Sequence, residues 1–283
     1  MEDSIYRLEM DKVLERIAQH ASFSLGKEAV LNTRPIYSRL RVQRELERLK
    51  DAMRMLEEGH ALSFSGISDV SSLLKRVEKS SVLSVHEIVQ IARFMQGVSR
   101  LKSQFSNFEE DYPRLDDLFE SLIISQELLQ YLSHAFSEQG EVLDRASNEL
   151  RTVRSEIRNL EKRIDDSTES FLKKNKDMLR EKVVSLQQGR RTFLIKPSEK
   201  YKIDGTIYGT SASGQSVYFE PEFLSRMQNE LHGLVIREKE EIERICIEAS
   251  TMIALDSIQL MANLETVTLI DTLFAKAIWG RNE

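Results

Sequence analysis

Apolar residues recur at helical spacing along most of the chain. In LEMDKVLERIAQHASFSLGKEAVL, residues 8–31, the residues Leu8, Val13, Leu14, Ile17 and Ala21 fall on one face. That spacing predicts a helix ending before Pro35. Further helices are predicted at about 39–58, about 115–134 and about 257–279. The stretch VSSLLKRVEKSSVLSVHEIVQIARFMQGVSRLKSQF reads as two helices broken near Ser80 and Ser81, with Ser84 and Glu87 spaced as a capping box. The Gly/Ser-rich GHALSFSGISD and the acidic NFEEDYPRLDD, which contains Pro113, read as loops.

From residue 141 the period changes to seven. Leu150, Ile157, Ile164, Phe171 and Met178 form one seam, and Val153 and Leu160 begin a second. With no Gly or Pro after Gly140, one unbroken helix is predicted over about 145–182, roughly 55 Å long at 1.5 Å per residue. The second seam passes into Ser167 and Lys174, which predicts a looser, wetter far end. A matching apolar pattern returns through Leu224, Met227, Leu231, Leu234, Ile242, Ile245, Ala249 and Met252. The two helices are expected to fold back as an antiparallel pair.

Between them the pattern becomes β-like. Val183–Gln187, Thr192–Ile195, Ile207 with Tyr208, and Ser216–Phe219 are β-type runs, and QQGRR and SASGQ offer tight turns. In the last run Val217 and Phe219 are expected on one side and Ser216 and Tyr218 on the other, with Pro221 in the first turn of the returning helix. The predicted fold class is therefore mainly α: a helical core plus a long antiparallel coiled-coil stalk carrying a small β-rich knob at the tip. The predicted division is 1–142 helical core, 143–182 outgoing coiled-coil helix, 183–222 β-rich tip, and 223–283 return helix and the helix back to the core.

Composition supports a folded helical chain: 283 residues, 41% hydrophobic and 30% charged, with 11 Gly and 4 Pro. One cysteine, Cys246, excludes a disulfide framework and a cysteine-based zinc site and points to a reducing compartment. The acidic N-terminus lacks the apolar centre of a signal peptide, and no run reaches the roughly 20 apolar residues of a membrane span, so a cytoplasmic protein without a membrane partner is expected.

Charge changes the picture further. The whole chain carries −6, yet residues 182–204 hold six basic residues against two acidic ones, a local +4. A basic patch on an acidic body is the electrostatic footprint of phosphate binding. Residues 145–182 carry +3 and residues 220–248 carry −4, a contrast that serves equally to steer helix pairing or to line a groove. The candidate nucleic-acid-binding residues are Lys182, Arg190, Arg191, Lys196, Lys200 and Lys202, with Tyr218 as a stacking aromatic.

No catalytic or metal constellation is visible. His86-Glu87 begins an H-E-x-x-H, but residue 90 is Gln, and no G-x-x-x-x-G-K-[ST] occurs. No enzymatic activity and no cofactor are expected of these residues.

The stretches GEVLDRASNELRTVRSEI, QQGRRTFLI and SASGQSVYFEPEFLSRMQNEL, with LEMDKVLERIAQHASFSLGKE and GISDVSSLLKRVEKSSVLS, resemble the MutS family of DNA-handling ATPases. They are most similar to its shorter bacterial MutS-two branch, which lacks the mismatch-reading N-terminal domains. That resemblance implies a core-lever-clamp piece of a dimeric protein whose ATPase domain, with ATP and Mg²⁺, and Smr nuclease domain lie elsewhere. It further implies binding of branched DNA in suppression of recombination, or contact with collided ribosomes. The chain departs from the family where FLIKPSEKYK follows QQGRR and where Tyr208, Gly209 and Thr210 precede the SASG turn. Three classes of function therefore stand: a DNA clamp, a ribosome-contacting arm and a structural dimer module.

Overall fold

The computed structural model describes residues 9–212 and 214–282. Its first helices are α1 Met10–Ala18, α2 Ser24–Leu31, α3 Arg39–Glu57, α4 Ser71–Val77, α5 Val85–Phe105, α6 Asp116–Glu120 and α7 Gln126–Ala135. They are followed by α8 Asn148–Lys174, then strands β1 Leu179–Gln187, β2 Arg190–Ile195, β3 Gly205–Thr210 and β4 Val217–Pro221, then α9 Glu222–Leu255 and α10 Ser257–Asn282. The chain divides into two units: one takes the chain through Leu143 and again from Cys246, the other is Asp144–Ile245.

The helical unit is built around α5. Ile88, Ile91, Met95 and Val98, spaced by three and four, are at most 1% exposed, and Phe105 at the end of the helix stacks on Phe119 at 3.9 Å. The helix starts where its capping box predicts. Ser84 N–H donates to Glu87 Oε2 at 2.8 Å, and that bond above all holds the Glu87 carboxyl below its usual range.

Two predicted helices are each broken in two. Of the predicted 8–31 helix, Leu8 lies outside the described residues, and the remainder is not one helix: α1 ends at Ala18 and α2 begins at Ser24. The carboxylate of Asp271, 1% exposed on α10, accepts from Ser22 N–H at 2.9 Å and Phe23 N–H at 3.4 Å, supplying from far along the chain the cap that α2 lacks locally. Burial is the main influence on Asp271 and raises its pKa, against the lowering effect of those N–H groups. The predicted 115–134 helix is likewise split by residues 121–125. There Asn263 grips the backbone of Ile123, accepting from its N–H at 3.1 Å and donating to its carbonyl at 2.6 Å.

The Asp144–Ile245 unit overturns the predicted fold class. It combines helices with a four-stranded antiparallel sheet, giving the chain a mixed α/β character. Helix α8 stops at Lys174 after 27 residues, about 40 Å, so residues 179–182 are strand instead of helix. Helices α8 and α9 meet through side chains, Arg154 Nε donating to Glu238 Oε1 at 2.7 Å and Leu160 clustering with Leu234, but the heptad face does not run as a coiled-coil seam against α9 alone. Instead the heptad residues Ile164, Phe171 and Met178 cluster with Phe193, Ile195, Val217 and Phe219 of the sheet. The far end of α8 is also not wet: Phe171 lies 4.4 Å from Phe193, and the buried line runs through Thr168 while Lys174 faces solvent. A period of seven marks which helix face is apolar but not what covers it.

The strand order is β1-β2-β4-β3. Gln188 and Gly189 take φ of 52° and 79° between the paired residues Gln187 and Arg190, a two-residue turn of the kind QQGRR predicts. Val217 and Phe219 enter the core as predicted, but Pro221 closes β4 and α9 begins one residue later. Asp204 O accepts from Glu222 N–H at 2.9 Å at that corner.

A Cβ built on Gly26 would lie 1.9 Å from Asp271 Oδ2, whereas one on Gly233, inside α9, meets nothing within 4 Å. Gly26→Ala is therefore expected to cost about 1–3 kcal/mol by overpacking. Gly233→Ala is expected to stabilise by about 0.5–1 kcal/mol through helix propensity. Urea denaturation of the two variants checks both signs.

Candidate nucleic-acid interface

The two central strands of the sheet are sealed. From Thr192 to Ile195 every residue of β2 is buried, and in β4 only Tyr218 is partly exposed. The edges are open: residues 180–184 of β1 are all exposed, and in β3 only Tyr208 is not. Between Leu179↔Ile195 and Val184↔Phe193, β1 advances five residues while β2 advances two. The four residues Arg180, Glu181, Lys182 and Val183 stand against Leu194 alone, a bulge that protects an edge strand and displays its charges.

Strands β2 and β3 both run antiparallel to β4 on its two sides. The link between them, residues 196–204, must therefore carry the chain back from Ile195, beside Val217, to Gly205, beside Pro221. This crossover is held along its length: Lys196 N–H donates to Met178 O at 3.1 Å, Lys202 N–H to Glu199 O at 3.0 Å, and Ile203 packs on the core.

The predicted cations separate on this frame. Arg190 turns inward: its Nε donates to both oxygens of the fully buried Glu220 at 3.0 and 3.1 Å, and its Nη2 to Ser225 O at 3.2 Å. The bond to Glu220 raises the Arg190 pKa further. Arg191 pairs with Asp165, and its backbone N–H is taken by Gln228 Oε1 at 2.7 Å. Lys202 pairs with Glu199. Lys196 Nζ donates to Asp177 O at 2.6 Å and Lys200 Nζ stands 4.8 Å from the Tyr201 ring centroid, and neither has a carboxylate partner among the described residues. Lys182 is exposed on the bulge of β1 with no ion pair among the described residues. Tyr218 lies in the central strand β4, opposite Leu194 and Gly209, where only part of its ring meets solvent.

No family model matches the chain. Curated relatives do. The endonuclease MutS2 of Bacillus velezensis is 31% identical over 280 residues, covering 97% of this chain and 36% of the relative. The putative endonuclease MutS2 of Bacillus subtilis is 31% identical over 279 residues with the same coverage, and that of a Geobacillus species is 30% identical over 278. The chain belongs to the MutS2 family. It spans 36% of the length of these relatives.

Sequence reasoning does not single out three residues that the structure places here, two in this MutS2-family sheet and one on the crossover. Arg180 shares the β1 bulge with Lys182 and bonds the neutral Gln215 at 3.0 Å; its charge is legible in the sequence, but the heptad pattern there predicts a helix. Tyr208 sits at a second bulge, between Ile207↔Phe219 and Gly209↔Tyr218, and burial followed by the hydrogen bond to Glu220 raises its pKa. Tyr201 is 86% exposed on the crossover. Among the described residues no group of three or more His, Cys, Asp or Glu is placed to hold a metal ion, and no single helix is long and apolar enough to cross a membrane.

Removing Arg190 would strand the buried Glu220 carboxylate. Arg190→Ala is therefore expected to destabilise by about 3–5 kcal/mol, and Lys182→Ala to remain within about 0.5 kcal/mol of the parent. Chemical denaturation decides: equal losses in both variants would contradict this division of the basic residues.

Proposed function

We propose that the Asp144–Ile245 unit holds DNA through its phosphate backbone, with little sequence preference, as the non-catalytic binding portion of a MutS2-family protein. The observation that carries this reading is a set of four cations on the open edge and the crossover, Arg180, Lys182, Lys196 and Lys200, that have no carboxylate partner among the described residues. They stand on a chain whose net charge is −6. Lysine and arginine in such a setting bind phosphates by releasing condensed counterions. The relatives are named endonucleases, proteins that cut nucleic acid, which fits a nucleic-acid ligand. Branched DNA is the proposed physiological form.

Binding, not catalysis, fits the use made of the buried ionisable groups. Glu220 is taken up by Arg190 and Gln228, Asp271 by the Ser22 and Phe23 backbone, and Tyr112 by Glu58 and His60.

Four phosphate contacts correspond to a slope of about −3.6 in log K against log salt on duplex DNA, against about −5.4 for six. Titration of duplex, a four-way junction and ribosomes across a salt series is expected to give the shallower slope. A variant carrying Arg180→Gln, Lys182→Gln, Lys196→Gln and Lys200→Gln is expected to lose the salt-dependent part. Equal DNA binding by that variant would remove the basis of the proposal. Ribosome binding without DNA binding would move the assignment to the translation machinery.

A further inference from the structure

We infer that Tyr201 is a stacking platform for an unpaired base, so that this surface prefers nucleic acid with unstacked bases to continuous duplex. The inference rests on the nucleic-acid reading above and deepens it. At 86% exposed, Tyr201 is the most exposed large apolar side chain among the described residues. A ring so exposed contributes little to folding, since burial of apolar area is what stabilises. Its backbone is nevertheless held, with hydrogen bonds on either side at Glu199–Lys196 and Lys202–Glu199, both 3.0 Å, and with Ile203 anchored in the core. The ring is thus presented at low ordering cost.

Its surroundings select the partner. Lys200 Nζ lies 4.8 Å from the ring centroid, placing a cation against a ring that stays 86% exposed. Lys196 stands at the start of the same crossover, and the carboxylate of Glu199 is engaged by Lys202; Asp204 is the remaining acid of the segment. An aromatic face set beside phosphate-binding cations is the recurring arrangement for single-stranded nucleic acid, in which each base brings a π-face and a phosphate together. In continuous duplex the bases are already stacked on one another, and the ring has no free face to meet.

The test is the affinity of the full chain for a thymidine oligonucleotide and for a blunt duplex of equal charge, with Tyr201→Ala, Tyr201→Phe and the four-glutamine variant beside the parent. Tyr201→Ala is expected to weaken single-strand binding by about 5-fold to 150-fold, the worth of one stacked base. Duplex binding should change less than about twofold, and Tyr201→Phe should retain parent affinity because stacking needs the ring and not the hydroxyl. Unchanged single-strand binding by Tyr201→Ala, or an equal loss on both ligands, overturns the inference while leaving backbone binding standing. Loss of backbone binding as a reading is separate: it appears as a four-glutamine variant that binds both ligands like the parent.

Discussion

The Asp144–Ile245 unit depends on a carboxylate placed where water cannot reach it. Glu220 is fully buried, and such a group costs several kcal/mol unless each lone pair finds a donor. Arg190 supplies a two-pronged guanidinium contact, Gln228 an amide N–H, and Tyr208 a hydroxyl. These donors come from the start of β2, the second turn of α9 and the bulge of β3, and Glu220 itself is the penultimate residue of β4. One anion therefore fixes the register of three strands and docks a helix. Since a shift of one residue turns every side chain to the opposite face, a slipped sheet would leave Glu220 opposite nothing that can neutralise it.

A second device recurs in both units, at places where regular hydrogen bonding fails. Gln228 accepts from Arg191 N–H and donates to Arg191 O, serving as a strand partner where β4 does not reach. Asn263 does the same for Ile123 in the break between α6 and α7, and Asp271 caps α2. Each closes backbone polar groups that burial would otherwise leave unsatisfied. The irregular segments are thus as fixed as the helices beside them. A platform such as the crossover can be rigid without belonging to a regular element.

How much of this was legible in the sequence follows from the range of each interaction. The Ser84–Glu87 cap, the QQGRR turn and the inward alternation of Val217 and Phe219 are set by neighbours a few residues apart, and they could be read directly. The break between α1 and α2 could not, because Asp271 lies 249 residues from Ser22. The heptad over Leu150–Met178 marks an apolar face, but the same spacing suits a helix seated on a sheet, and here the sheet, with Phe193 4.4 Å from Phe171, covers much of the face for which a coiled-coil seam is expected. Tyr218 was chosen because alternation places it outward; Tyr201 lies in a crossover without periodicity, where pattern says nothing about exposure.

The same limit applies to charge. Residues 182–204 sum to +4, but Arg190 and Arg191 are paired with Glu220 and Asp165, which lie outside that window. Counting those two acids halves the local charge to +2. A basic residue in a small sheet has two possible employments. One is to neutralise a buried acid, where it stabilises the fold and is withheld from ligands; the other is to stand on a bulged edge, where it costs the fold little and remains available to phosphates. Composition counts both alike. The pairing of Arg190 with Glu220 is what separates them: the central strands that carry this pair are buried, while the exposed charges stand on the edge and the crossover.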